Sequence, residues 1–186
     1  MKTFFSAFRI FLILTFLTGV LYPLAVTEFA QALFPYQANG SLAKKDGQLI
    51  GSVLIAQKFQ DAKYFWSRPS AADFATVPSG ASNQGPTSAA LRDIVLARAE
   101  TFRKVHHLNP ETPLPADLIF ASGSGLDPHI SPEAAYLQIS RVATTRRMSE
   151  EQLLNVVKSN TEAPQFGIFG KPRVNIFRLN LALDSL

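Results

Sequence analysis

The chain has 186 residues, no cysteine, a formal net charge of +4 and a pI near 9.5. Without cysteine there are no disulfides, no lipoprotein anchor and no cysteine-ligated zinc. The bases (Lys44, Lys58, Arg68, Arg92, Arg103, Arg141, Arg178) are scattered and no nucleic-acid motif surrounds them, so a basic surface facing water, anionic lipid or an acidic partner is favoured over nucleic acid.

The first element in chain order is an uncharged apolar run, Ile10 to Thr27, preceded by Lys2 and Arg9 and closed by the first acid, Glu28. At about 18 residues it is long enough to cross a bilayer core as a helix. Two readings stand. A secretory signal fits the basic start and the small-residue site Ala30-Gln31-Ala32, whereas a retained anchor fits a run longer than the usual h-region, with Tyr22 at headgroup level. Charge before the span and an acid after it place the N-terminus in the cytoplasm and the rest outside. The expected division is residues 1–33, a cytoplasmic start and transmembrane helix, and residues 34–186, one extracytoplasmic domain.

Phe34-Pro35 should break the helix, and Asn39-Gly40-Ser41 and Asp46-Gly47 read as turns. Gly51–Gln57 reads as a buried strand, and Tyr64-Phe65-Trp66 as an aromatic cluster in the core. Arg68 to Ser88 is a loop of roughly 20 residues, long enough to suggest function. Its small residues Ser79, Gly80, Ala81, Ser82 and Asn83 would suit a backbone pressed against a partner.

Ser88 to His107 is helical by period, through Leu91, Ile94, Val95, Ala99 and Phe102. Leu118–Ala121 reads as a second strand. Ser131-Pro132-Glu133 starts a helix running to about Arg147, and Ser149-Glu150-Glu151-Gln152 is a capping box opening another through about Asn160. Pro164–Pro172 is a loop and Arg173–Leu181 a closing strand. Few strands and several helices without regular alternation predict an α+β fold.

Ser122-Gly-Ser-Gly-Leu-Asp-Pro-His-Ile-Ser-Pro132 is the densest polar segment. Ser124, Asp127 and His129 lie too close in sequence for a triad, which needs side chains converging from separately fixed elements, and the segment lacks a G-x-S-x-G elbow. The remaining readings are an Asx-type turn at Asp127 with Ser131 capping the next helix, a partner-facing turn, or an anion-binding nest of backbone N–H groups. His106 and His107 are adjacent on a helix and diverge by about 100°, so they cannot share a metal; positive charge closing that helix is the expectation. Gln138, Arg141 and Val142 share a face, with Arg146 and Arg147 beyond. Such arginines default to solvent but could meet a carboxylate or phosphate. Neither a catalytic nor a metal site is expected.

The chain resembles the C subunit of the bacterial potassium-transporting ATPase (the KdpC family) from end to end. The matching strings are Gly19-Val-Leu-Tyr-Pro23, Phe34-Pro35, Gln37-Ala-Asn-Gly-Ser41, Gly51-Ser52, Gln57 and Tyr64-Phe-Trp-Ser-Arg-Pro-Ser-Ala71. They continue with Ser79-Gly-Ala-Ser-Asn83, Gly85-Pro86, the Ser122–Pro132 segment, Gln138, Arg141-Val-Ala143, Arg173-Val-Asn175 and Leu179-Asn180. Departures are Gln84, Ser88 and Lys171, where leucine, asparagine and an acid are expected.

The resemblance implies a single-pass inner-membrane subunit. Its implied partners are a channel-like potassium-translocating subunit, a P-type ATPase subunit and a small single-span subunit, with membrane lipid around the span. It implies a non-catalytic role, consistent with the lack of a P-loop or a D-K-T-G-T sequence. It further implies an effect on the ATPase subunit's affinity for ATP, with Ser122, Gly123, Ser124, Gly125 and Gln138 as suggested nucleotide contacts, and Asp127 and Arg141 beside them. A periplasmic domain conflicts with direct contact, since ATP is cytoplasmic. No tightly bound cofactor is therefore expected, and ATP only through the ATPase subunit. A partner-facing role for the 122–127 segment and for Ser79, Gly80, Ser82 and Asn83 is the favoured reading. The competing classes are a free periplasmic binding module and a serine hydrolase.

Overall fold

A computed structural model describes residues 1–186. Two compact units emerge, Met1–Ser52 and Val53–Leu186.

In the first unit, α1 (Lys2–Phe16), a π-helical turn (Leu17–Leu21) and α2 (Tyr22–Leu33) form one apolar helix of 32 residues, none of them buried. At 1.5 Å per residue it is about 48 Å long, which exceeds a bilayer core of about 30 Å. The widened turn sits just before Pro23, whose ring lacks an N–H and crowds the preceding turn. Two hydroxyls bond back to helix carbonyls there, Thr18 to Leu14 at 2.7 Å and Thr27 to Pro23 at 2.8 Å. Phe34 leaves helical geometry and Pro35 opens the short α3 (Pro35–Ala38), so the expected break occurs.

A hairpin follows, β1 (Leu42–Lys45) and β2 (Gln48–Ser52), antiparallel. Asp46 and Gly47 join them with φ of 51° and 79°, the geometry that suits a two-residue hairpin turn. The expected strand over 51–57 is therefore shifted. The Asp-Gly turn fixes the register, so the strand stops at Ser52, and Val53 and Ala56 are buried without joining a ladder.

The second unit is built on α4 (Ala89–Val105), α5 (Ala116–Ile119), β3 (His129–Ile130), α6 (Pro132–Tyr136), α7 (Ile139–Arg146), α8 (Glu150–Ser159), β4 (Thr161–Glu162), β5 (Arg173–Asn175) and α9 (Ile176–Asp184). The sheet is antiparallel in the order β3-β5-β4. Phe65, Phe102, Leu118, Ile130, Val142, Leu153, Val174, Leu179 and Leu183 belong to one core between it and the helices. The α+β expectation holds.

The caps read from sequence are present. Ser88 and Ser131 accept from Leu91 and Ala134, and Ser149 with Gln152 forms a reciprocal capping box. Three expectations are corrected. Leu118–Ala121 is not a strand: Pro115 opens a helical turn, and a short apolar run does not by itself distinguish the two. The helix from Ser131 is interrupted at Leu137–Gln138, where the Gln138 N–H bonds Ala135 three residues back and tightens the chain. The closing strand lasts only through Asn175, whose side chain accepts from the Arg178 N–H and starts α9. Ile176, Leu179 and Leu183 then recur at helical spacing on its buried face.

Candidate functional site: a clasped segment and the glycine junction beside it

Residues 62–66 form no regular secondary structure, yet Phe65 is fully buried, so the backbone polar groups around it need partners. Side chains supply them. Asn180 of α9 accepts from the Phe65 N–H and donates to the Phe65 carbonyl, both at 2.9 Å. Gln138 accepts from the Trp66 N–H at 2.8 Å and donates to the Trp66 carbonyl at 3.1 Å. Two amides thus pair with consecutive residues much as a neighbouring strand would.

Arg141 completes the clasp. It donates to the carbonyls of Ala62 and Tyr64, to Gln138 Oε1, and through Nε to His106 Nε2 at 2.9 Å. Its guanidinium also lies 4.5 Å from the centre of the Trp66 ring. Gln138 is 0% and Arg141 8% exposed, so the solvated face expected for Arg141 is corrected. Burial lowers the Arg141 pKa to about 10, which leaves it charged at neutral pH.

His106 is the hinge of this electrostatics. Its Nδ1 lies 2.8 Å from the Phe102 carbonyl and its Nε2 accepts a hydrogen bond from the Arg141 Nε–H, so the ring is neutral with hydrogen on Nδ1. Burial, with the Arg141 and His107 charges, pushes its pKa down to about 4 despite the Phe102 carbonyl's opposing effect. The expected positive charge at this helix end is therefore absent at His106. Neutrality is what lets it accept from a cation.

Beyond Trp66 the chain reaches the expected partner-facing segments, and the structure brings them together. The Ser122 N–H donates to the Pro69 carbonyl at 3.3 Å, and Arg68 pairs with Asp127 at 3.0 Å. Gly125 has φ +72°, and a β-carbon there would sit 2.9 Å from the Gly80 carbonyl oxygen and 3.1 Å from Ser70 Oγ. Glycine is thus required at Gly125 by both conformation and close approach. Gly123 has open space around it. Of the small-residue loop, Gly80 meets this junction, while Ser79, Ser82 and Asn83 are exposed.

The polar groups of the 122–127 segment are turned inward on their own turn. Ser122 Oγ accepts from the Asp127 N–H, Ser124 Oγ from Leu126, and Asp127 Oδ1 from the His129 N–H, an Asx turn. Burial raises the Asp127 pKa, but hydrogen bonds from His129 and the Arg68 charge outweigh it and hold the carboxyl below its usual range. Neither serine bonds a histidine, and no three His, Asp or Glu side chains converge as metal ligands.

Two features escaped sequence reasoning. Asn180 carries as much of the clasp as Gln138, but its partner is 115 positions away. The second is the tip of the 164–172 loop, a tight hairpin closed by Gln165 and Phe169, with Phe166 83%, Ile168 75% and Phe169 63% exposed. The string Phe-Gly-Ile-Phe-Gly was the available signal: three large apolar residues within five, interrupted and followed by turn glycines.

Residues 4–185 match the family described as KdpC: K+-transporting ATPase, c chain. The chain is 50% identical over 183 residues to the potassium-transporting ATPase KdpC subunit of Dechloromonas aromatica (strain RCB), covering 97% of this chain and 95% of that one. The KdpC subunit of Methylococcus capsulatus (strain ATCC 33009 / NCIMB 11132 / Bath) is 51% identical over 183 residues, covering 97% and 96%. With nearly all of the apolar helix, the clasp and the glycine junction inside the matched region, the chain belongs to the KdpC family of K+-transporting ATPase subunits.

Proposed function

We propose that this chain is a non-catalytic accessory subunit of a high-affinity, ATP-driven potassium uptake complex. The α1–α2 helix anchors it in the bacterial inner membrane, with the N-terminus cytoplasmic and the domain periplasmic. There the domain docks on the channel-like and P-type ATPase subunits, with the small single-span subunit in the same complex. The observation that carries this reading is that the candidate reactive groups, Ser122, Ser124, Asp127, Gln138 and Arg141, are bonded within their own chain. Such groups build a scaffold; a catalyst would leave some of them converging on open space.

The exposed features suit docking. Ser79, Ser82 and Asn83 offer small polar contacts, and the Phe166–Phe169 tip offers apolar area that a soluble monomer would ordinarily cover. Retention of the anchor is supported by the family match beginning at residue 4 and by the Ala30-Gln31-Ala32 site lying inside a helix. Any effect on the ATPase subunit's affinity for ATP travels through the assembled complex, as a coupling between distant sites.

Affinity purification from mild detergent tests the assignment. The uncleaved chain should bring down the channel and ATPase subunits. A soluble species beginning at Leu33, with neither subunit attached, would replace this reading with a free periplasmic module. Orientation has its own test: protease added to intact spheroplasts should reach the 68–88 loop, and cleavage only in inverted vesicles would reverse the topology.

A further inference from the structure

Beside Trp66 and Phe102, residues that also meet the clasp, lies a cavity of about 660 Å3. Part of its wall is aromatic and aliphatic (Phe59, Trp66, Phe74, Phe102, Ile94, Leu118), and three cations, Lys58, Arg68 and Arg98, line it with one acid, Asp73. Volume and composition match the sites that hold small organic ligands, apolar surfaces with a few placed polar groups.

The cations are not equivalent. Lys58 is neutralised by Asp73 at 2.7 Å, and both are well exposed. Arg68 pairs with Asp127 through one terminal nitrogen, but its Nε is buried with no hydrogen-bond partner. That N–H has almost no accessible surface, so a ligand in the cavity meets Arg68 through its terminal nitrogens. Arg98 donates to the Ile119 carbonyl at 3.2 Å and pairs with no carboxylate. The lining therefore has donors to spare and positive charge to match, set against rings.

We infer that this cavity is a binding site for a small anionic amphiphile, a carboxylate or phosphate joined to an aromatic or short alkyl body. The anion meets the Arg68 and Arg98 guanidiniums, which suit the planar two-oxygen geometry of a carboxylate, and the body lies against Trp66, Phe74 and Phe102. The site is independent of the docking assignment, since it needs no partner subunit.

Trp66 is the chain's one tryptophan, so its emission reports on the cavity directly. The full-length protein in a neutral maltoside detergent is titrated with phenylacetate, with its uncharged counterpart 2-phenylethanol, and with inorganic phosphate, exciting at the red edge of indole absorption. The expected result is a saturable change with phenylacetate and a half-saturation concentration about tenfold higher for 2-phenylethanol, the factor a charge-assisted hydrogen bond gives. Arg98→Gln should impose a similar loss for phenylacetate while leaving circular dichroism unchanged. Arg68→Gln should do the same, but it also removes the ion pair to Asp127, so Arg98→Gln is the deciding variant. No saturable response to phenylacetate, equal affinity for the neutral alcohol, or unchanged affinity in Arg98→Gln would overturn the proposal. Phosphate binding as tightly as phenylacetate would overturn its amphiphilic half.

Discussion

The clasp around residues 62–66 and the hairpin tip at 165–170 invert the ordinary distribution of polarity in opposite directions. In the clasp, a charged guanidinium, two amides and a histidine are buried, and each finds a partner. At the tip, two phenylalanines and an isoleucine are held out in solvent on a hairpin closed by its own backbone. Buried polar groups lock a unique geometry because any missing partner is costly. Exposed apolar groups add nothing to the fold, and each can contribute about 1.5–3 kcal/mol when something covers it. One region therefore holds the domain together, and the other is available for association. The difference predicts that damage to the two will separate cleanly into stability and assembly.

The largest expected effect on stability is at the clasp. Arg141→Met removes the donors to Ala62, Tyr64, Gln138 and His106, and should destabilise the domain by roughly 3–5 kcal/mol in urea unfolding followed by Trp66 emission. Arg141→Lys should rescue little of this, because one ammonium cannot reach four acceptors spread around a planar fork. Full stability in the methionine variant would mean the clasp is not structural.

Next comes the glycine junction. Gly125→Val forces a branched side chain into φ > 0 and against the Gly80 carbonyl, at a cost of about 1–3 kcal/mol. Gly123→Val meets open space and should be close to neutral, within about 0.5 kcal/mol. Equal effects at the two glycines would show that close approach to the 70–80 loop is not what selects glycine here.

A pH titration sharpens the clasp further. The unfolded chain protonates His106 near 6.5 and the folded one near 4, so the unfolded state binds more protons between those values. Stability from this group is complete above the ordinary histidine pKa and is lost as pH falls through the window, by on the order of 3 kcal/mol. His106→Gln keeps an acceptor for Arg141 and should flatten the slope there. The depressed Asp127 pKa adds a separate loss at lower pH, as its carboxylate is protonated.

Much of the local structure was legible because its causes are local. The Asp46-Gly47 turn, the Ser88 and Ser131 caps and the Ser149–Gln152 box each act within a few residues. Asn175 shows the limit: as a cap it opens a helix, but inside Arg-Val-Asn-Ile-Phe it reads as part of a strand. The clasp was illegible in its function though visible in its residues. Gln138 and Arg141 share a helix face by spacing, but nothing local says that the face meets Trp66, 72 positions earlier. The 122–127 segment was legible as a turn, and its contact with Gly80 needed the fold.

The smallest expected effect on stability falls at the hairpin tip, and it bears most directly on the claim that this domain is a docking scaffold. Phe166→Ser combined with Phe169→Ser removes mainly exposed surface, so the unfolding free energy in urea should change by about 0.5 kcal/mol or less. The decisive measurement is recovery of the channel and ATPase subunits with this variant from mild detergent, at matched amounts of full-length chain in the membrane. The account predicts a folded, membrane-bound protein that brings down much less of both subunits, with potassium uptake reduced in parallel. Recovery of both subunits at wild-type levels with uptake unchanged would contradict it.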